Sequence, residues 1–358
     1  MTRIAVPLAL PRGPAWRNRL ALAPLTNMQS HADGTLSEAE FHWLTMRATG
    51  GFALTMTCAA HVEPRGQGFP GQLGIWSDAH LPGLARLASA IRATGSVSCV
   101  QLHHAGRRGD PKLTGETPVA PFACAETGAR PLAAGEIEEV IAAFVAAARR
   151  AEAAGFDGVE LHGAHGYLLA AFLDADHNHR ADGWGGDFAG RSRIFRDLVG
   201  AVRAATGPQF QLGLRLSPER FGIRLADARQ LAGELLASGA LDWLDLSLWD
   251  VDKVPEEPDH ASTRLIDHFT DLPRHGTALG VAGKILSAAR AADCLAWGAD
   301  FVLIGRGAIL HHDFAIRALA DPAFTARPLP VARADLAAEG LSPAAIDYMA
   351  TWKGFVAA

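Results

Sequence analysis

Residues 210–248 read FQLGLRLSPERFGIRLADARQLAGELLASGALDWLDLSL. The stretch opens and closes on short apolar runs, FQLGLRL (210–216) and WLDLSL (243–248). Between them, residues 225–238 repeat leucine and alanine at the spacing of one helix face. The two runs are apolar at most positions rather than at every second one. Such strands are covered on both faces, as in a parallel sheet flanked by helices. The stretch therefore reads as one strand–helix–strand unit.

The same unit recurs outward in both directions. Further strand candidates are LALAP (20–24), FALTMTC (52–58), VSCVQL (97–102), GVELH (158–162), ALGVAG (278–283) and FVLIG (301–305), eight in all. Helical patterns fill the gaps at 37–49, 80–94, 136–154, 190–206, 225–238, 262–275 and 287–297, with one more after 308. Ser37 and Glu40 have the spacing of a capping box, and Gly155 ends the long helix before it. Eight alternating units predict an α/β fold of the (β/α)8 TIM-barrel type. A doubly wound open sheet is the alternative. It calls for G-x-G-x-x-G after the first strand, where this chain has APLTNMQS (23–30). The expectation is a single domain over 1–358 with an N-terminal cap, inserted βα loops and a C-terminal tail from about 328.

Composition agrees. Apolar residues make up 49% of the 358, enough for a large core, and the formal net charge is −5 with no basic block. No nucleic-acid or anionic-membrane partner is expected. No apolar run approaches the ~18 residues of a membrane span. The start MTRIAVPLALPRG imitates a secretory signal only briefly: its apolar run is broken by Pro7, and a cleavage motif is absent. A cytoplasmic location is expected. Cys58, Cys99, Cys124 and Cys294 are far apart and form no C-x-x-C, which argues against a zinc knuckle or iron–sulfur cluster.

In a barrel the chemistry lies at the carboxyl ends of the strands. Those ends carry Thr26, Gln101, His103, His104, His162, His165, Tyr167, Arg215, Ser247 and glycines 283 and 305. His162 and His165 could be metal ligands, acid/base groups or hydrogen-bond donors around a bound molecule. The metal reading lacks support. His103 and His104 are adjacent and point to opposite faces of a strand, and Asp245 lies inside a strand. No metal is expected. The segments GVAGKIL (280–286) and LIGRGAI (303–309) follow the seventh and eighth strands, where barrels often bind phosphate. A phosphate site beside Thr26, Gln101 and Arg215 suits a flat, polar-edged, phosphorylated cofactor, and FMN has that shape.

At this point the residues resemble the Old Yellow Enzyme family of FMN-dependent ene-reductases. The likeness rests on NRLALAPLTN (18–27), QLHHAGRR (101–108), GFDGVELHGAHGYLLAAFL (155–173), NHRADGWGGDFAGRSRI (178–194), LRLSPE (214–219) and GADFVLIGRGAI (298–309), in consistent order from about residue 4 to about 330. The resemblance implies FMN as cofactor and NADPH or NADH as reductant. It implies that Pro24, Leu25, Thr26 and Ala59 line the flavin, that Gln101 bonds its pyrimidine edge, and that Arg215 sits near N1 and the C2 carbonyl. Gly283, Lys284, Gly305 and Arg306 would hold the phosphate. His162 and His165 would donate to a substrate carbonyl, and Tyr167 would protonate the α-carbon of an activated alkene. The implied reaction is reduction of α,β-unsaturated carbonyl compounds. The alternative on the same fold is an FMN-dependent oxidase or demethylase; larger relatives of that kind carry a cysteine cluster and extra domains.

The chain also departs from the pattern. Thr26 stands where one branch has cysteine, Met28 replaces a pocket aromatic, Trp184 replaces tyrosine, and Lys284 replaces a second glycine. The resemblance allows a homodimer, although the tail has no obvious match to the arginine that some relatives insert into a partner subunit. Specificity is expected in loops such as 103–135 and in the tail 328–358.

Overall fold

Eight parallel strands close into a barrel in the computed structural model, which describes residues 3–357. They are β1 (Leu20–Leu22), β2 (Leu54–His61), β3 (Val97–His103), β4 (Gly158–Gly163), β5 (Gln211–Leu216), β6 (Trp243–Ser247), β7 (Ala278–Ala282) and β8 (Phe301–Ile304). Each pairs with its sequence neighbour, and β1 closes the ring against β8 through Leu20–Val302 and Leu22–Ile304. The expected (β/α)8 barrel is what the chain forms.

Helices α1 (Glu38–Thr49), α2 (Leu81–Ala93), α3 (Ala134–Ala153), α4 (Phe188–Ala205), α5 (Leu225–Ala237), α6 (Ala288–Ala296), α7 (Arg306–Leu310), α8 (Phe314–Ala320) and α9 (Pro343–Ala350) form the main helical layer. Their apolar stripes and the outward strand faces make one continuous core. Gly155, at φ +86°, closes α3 in the left-handed conformation that glycine adopts at least cost.

The barrel interior is filled by a second cluster, in which Trp16, Trp243 and Phe301 meet edge to face with ring centroids 4.8–5.5 Å apart. These rings fit because their neighbours are glycines. A Cβ on Gly213 would lie 1.9 Å from the Trp243 ring, and one on Gly280 would lie 2.2 Å from Phe301. Trp16 comes from the N-terminal segment and plugs the amino end of the barrel, its indole N–H donating to Gln211 Oε1 at 3.3 Å.

Three local expectations change. Only Asp267–Thr270 of the predicted 262–275 helix is helical; Pro273 cuts it short, and residues 251–266 run as loop and turn around one 3-10 turn, Pro258–His260. The helix after 308 is two pieces, α7 and α8. Ser37 caps α1 by accepting from Glu40 N–H, but Glu40 does not reciprocate. Its buried carboxylate turns away to Ser30 Oγ and to Asn27 Nδ2 at 3.3 Å, tying α1 to the β1 loop. Cys58, Cys99 and Cys294 are buried free thiols. Among the described residues no helix is long and apolar enough to cross a membrane.

The tail folds back over the carboxyl end of the barrel. Ser342 N–H donates to Gln29 Oε1 at 2.8 Å, and buried Arg47 donates to Glu339 C=O at 3.0 Å. These bonds seat α9 above the strand ends.

Candidate active site

A cavity of about 490 Å³ opens at the carboxyl ends of the strands. All thirteen residues singled out by sequence line it: Pro24, Leu25, Thr26, Ala59, Gln101, His162, His165, Tyr167, Arg215, Gly283, Lys284, Gly305 and Arg306. They come from the ends of seven different strands or the loops after them.

On one side stand three imidazoles and a phenol. The His162 and His165 ring centroids are 5.0 Å apart, and Tyr167 lies 5.3 Å from His162. His103 stacks on His162 at 5.5 Å and meets Tyr167 edge-on at 4.4 Å. Hydrogen bonds link these groups. Ser247 Oγ accepts from Arg215 Nη2 at 3.2 Å and lies 2.7 Å from His165 Nε2. His165 Nδ1 in turn lies 3.2 Å from His162 Nε2, so one of the two rings donates to the other. His162 Nδ1 is buried without a partner. Gln72 donates from Nε2 both to the Ala59 carbonyl at 2.8 Å and to His103 Nδ1 at 3.1 Å. The His103 proton then sits on Nε2, a buried N–H with no protein partner.

Burial, reinforced by neighbouring imidazoles and by Arg108, holds His103 well below the usual histidine range; burial, neighbouring imidazoles, Arg215 and Arg108 do so for His162, and burial, Arg215 and Arg108 for His165. All three are neutral N–H donors at physiological pH. Burial pushes the Tyr167 phenol up, and the Arg108 guanidinium, 4.8 Å over its ring, opposes that. Tyr167 therefore keeps its proton until a reaction takes it.

The floor is a charged network inside the barrel. Gln101 Nε2 donates to Glu160 at 2.8 Å, and Trp243 Nε1 donates to the other Glu160 oxygen at 3.0 Å. Arg215 Nε pairs with Asp245 at 2.9 Å. Burial raises both carboxyl groups, Asp245 to about 8 although Arg215 opposes it.

At the far end, Gly283 and Gly305 leave backbone at the wall. A Cβ on Gly283 would lie 2.8 Å from Asp250 N, so only glycine fits. Gly305 precedes the first turn of α7, whose N–H groups lack intrahelical partners. Lys284 holds the left-handed conformation, φ +48°, that a glycine adopts freely, although its side chain is lysine. Its ammonium rests on Asp250 at 2.8 Å, so an anion here shares it with that carboxylate. His165 and Trp249 are also left-handed, at φ +62° and +64°. Strain on three cavity residues marks a site that the fold over-determines.

Sequence reasoning passed over several lining residues. His103 and Ser247 stood among the strand-end polar groups without a role. Strand alternation could have placed Glu160 and Asp245 beneath the cavity, since Glu160 shares a strand face with His162 and Asp245 with Ser247. Trp249, Tyr348 and Trp352 also line the cavity. The last two arrive from α9 and the turn after it, and no local signal links them to the strand ends. Among the described residues no group of three or more His, Cys, Asp or Glu is arranged to hold a metal ion.

With this geometry in view, comparison with known proteins is specific. The sequence model of the family described as NADH:flavin oxidoreductase / NADH oxidase matches residues 7–321. A probable NADH-dependent flavin oxidoreductase from Bacillus subtilis is 35% identical over 87% of this chain and 86% of its own length. An NADH:fumarate oxidoreductase from Klebsiella pneumoniae is 36% identical over 88% of this chain, which spans 36% of that longer protein. The solved structure of an old yellow enzyme homologue from Zymomonas mobilis superposes with a TM-score of 0.81 at 26% identity, covering 96% of this chain and 99% of that one.

Proposed function

The chain belongs to the NADH:flavin oxidoreductase / NADH oxidase family, the Old Yellow Enzyme group, and on that premise we propose that it is an ene-reductase acting on α,β-unsaturated carbonyl compounds. It is an FMN-dependent oxidoreductase that uses NAD(P)H. The donor set of the cavity fits FMN. Small walls at Ala23, Ala59 and Ala282 leave room for a flat ring, Thr26, Gln101 and Arg215 offer polar partners, and glycine backbone with two cations lies at one end. In the holoenzyme Thr26, Gln101 and Arg215 would hold the ring's polar edge, and Gly283, Lys284, Gly305 and Arg306 the phosphate. The bound flavin supplies reversible two-electron chemistry between NAD(P)H and the alkene.

One observation carries the reading: the imidazole pair and the phenol converge on the same cavity as that donor set. As an enone accepts hydride at its β-carbon, negative charge gathers on the carbonyl oxygen. Neutral imidazole N–H groups from His162 and His165 take up that charge, each bond to a charged acceptor contributing roughly 1.5–3 kcal/mol. Tyr167 gives its phenolic proton to the α-carbon, a general-acid contribution of ~10²–10⁴-fold in rate. Arg108 over the phenol ring steadies the phenolate that remains until solvent returns the proton. Trp249, Tyr348 and Trp352 narrow the mouth and exclude water.

The test is a spectral cycle. Purified protein should be yellow and release FMN on acid treatment. Anaerobic NADPH or NADH should bleach it, and 2-cyclohexenone should restore the colour with formation of cyclohexanone. A bleached protein that oxygen reoxidises but no enone does would refute the ene-reductase reading while leaving the family intact.

A further inference from the structure

The barrel floor holds an odd number of charges. Glu160, Arg215 and Asp245 are all buried, at 0%, 6% and 0% exposure, and two carboxyl groups face one guanidinium. Register makes them neighbours on adjacent strands. Gln101 stands beside Glu160, His162 beside Arg215, and Arg215 beside Asp245. Glu160 has two strong donors, Gln101 and Trp243. Asp245 has only the Arg215 contact at 2.9 Å; neither of its oxygens finds a well-aligned hydrogen-bond donor. On the other side its strand partner is Gly280, which brings no charge. On its own strand it lies between Trp243 and Ser247, and Ser247 meets the neutral His165 ring. Of the two carboxyl groups, Asp245 is the one that the surroundings leave unsatisfied when ionised.

We infer that Asp245, when ionised, is a proton acceptor coupled to flavin reduction: it takes a solvent proton when negative charge arrives on the cofactor's pyrimidine edge beside Arg215. The inference rests on the placement of that edge at Gln101 and Arg215 under Proposed function. The balance is simple. NAD(P)H would supply two electrons and one proton as hydride to the bound flavin, and the negative charge gained there would compete with Asp245 for Arg215. Asp245 carboxylate plus one proton from water becomes the neutral acid, and the guanidinium is freed to face the ring. No bond beyond that O–H forms. Asp245 touches neither substrate nor the reacting atoms, so it acts as a positioning residue for Arg215.

The sign follows from the Asp245 carboxyl, which burial raises to about 8 although Arg215 opposes it. Below that pH it is protonated before and after reduction and adds nothing to the pH dependence. Above it, reduction draws in one extra proton. The midpoint potential of the FMN-loaded protein should therefore fall more steeply above about pH 8 than below. The extra slope is tenfold in equilibrium constant per pH unit, about 30 mV for a two-electron couple. Ionisation of the flavin ring itself would persist in any variant. Spectroelectrochemical titration from pH 6 to 9.5 measures this. Asp245→Asn should remove the steepening. Glu160→Gln keeps Asp245 but removes a like charge, and should move the break to lower pH. A straight line through pH 8 in the unaltered protein, a break unchanged in Asp245→Asn, or one unmoved in Glu160→Gln would overturn the inference. Because FMN retention is read from the same spectra, a protein that holds no FMN at all would instead refute the cofactor placement.

Discussion

His165 Nδ1 lies 3.2 Å from His162 Nε2, so one imidazole donates to the other. His165 Nε2 is 2.7 Å from Ser247 Oγ, which also accepts from Arg215, so the chain Arg215–Ser247–His165–His162 is continuous. For both rings to donate to one oxygen, the accepting nitrogen of the imidazole pair must gain the proton. The arriving oxygen displaces an imidazole–imidazole bond and gains two donors.

Phenols probe this pair directly. p-Hydroxybenzaldehyde should bind the FMN-loaded protein as a phenolate and give a long-wavelength charge-transfer band. His162→Ala should weaken its Kd by roughly 10- to 150-fold, the equivalent of 1.5–3 kcal/mol for a charged hydrogen bond. Ser247→Ala removes the partner of His165 Nε2 and should weaken it by less. An unchanged titration in His162→Ala would exclude His162 from the oxyanion role.

Tyr167 separates the two half-reactions. Flavin reduction by NADPH needs no proton from it, whereas alkene reduction does. Tyr167→Phe should retain FMN, phenol binding and fast bleaching, while reoxidation by 2-cyclohexenone slows at least about tenfold. Stopped-flow traces of each step decide. Equal slowing of both steps would mean that Tyr167 only seats its loop, and slowing of neither would mean that another donor serves.

Neutral buried imidazoles make the fold sensitive to acid. His103, His162 and His165 lie well below the ordinary histidine range, and burial brings His61 down to about 4. The unfolded chain binds protons on all four near pH 6.5, and the folded chain does not. Stability is therefore full above about pH 6.5 and falls as pH drops below it, by up to about 1.4 kcal/mol per pH unit for each histidine. Urea unfolding at pH 7.5, 6.0 and 5.0 should show this decline. His103→Phe should lower its slope by about one proton, and the same slope in that variant would show that His103 charges freely in the fold.

The barrel core supplies a test of packing. Gly213→Ala would set a methyl 1.9 Å from Trp243, whose ring is wedged against Trp16 and bonded to Glu160. Overpacking of this kind costs roughly 1–3 kcal/mol. Trp243→Phe in the same chain should recover part of the loss. A Gly213→Ala protein with an unchanged urea midpoint would mean that the floor of the barrel can yield.

The sequence by itself determined the eight-stranded barrel, because apolar strands and amphipathic helices alternate eight times and each strand's burial is written in its own residues. Strand ends converge in a barrel whatever the loops do, which pointed to Thr26, Gln101, His162, His165, Tyr167, Arg215, Gly283 and Gly305; the phosphate segments added Lys284 and Arg306, and the family resemblance Pro24, Leu25 and Ala59, all of them among the residues that line the cavity. Only tertiary structure decided what depends on distant partners. Glu40 leaves its own helix cap for Ser30 and Asn27. The proton on His103 is set by Gln72, thirty-one residues earlier in the chain, and His165 Nε2 meets Ser247, eighty-two residues later. Tyr348 and Trp352 reach the mouth of the barrel because α9 folds back over it. Hydrogen-bond partners and burial are properties of neighbours in space, and a local pattern of residues carries no record of them.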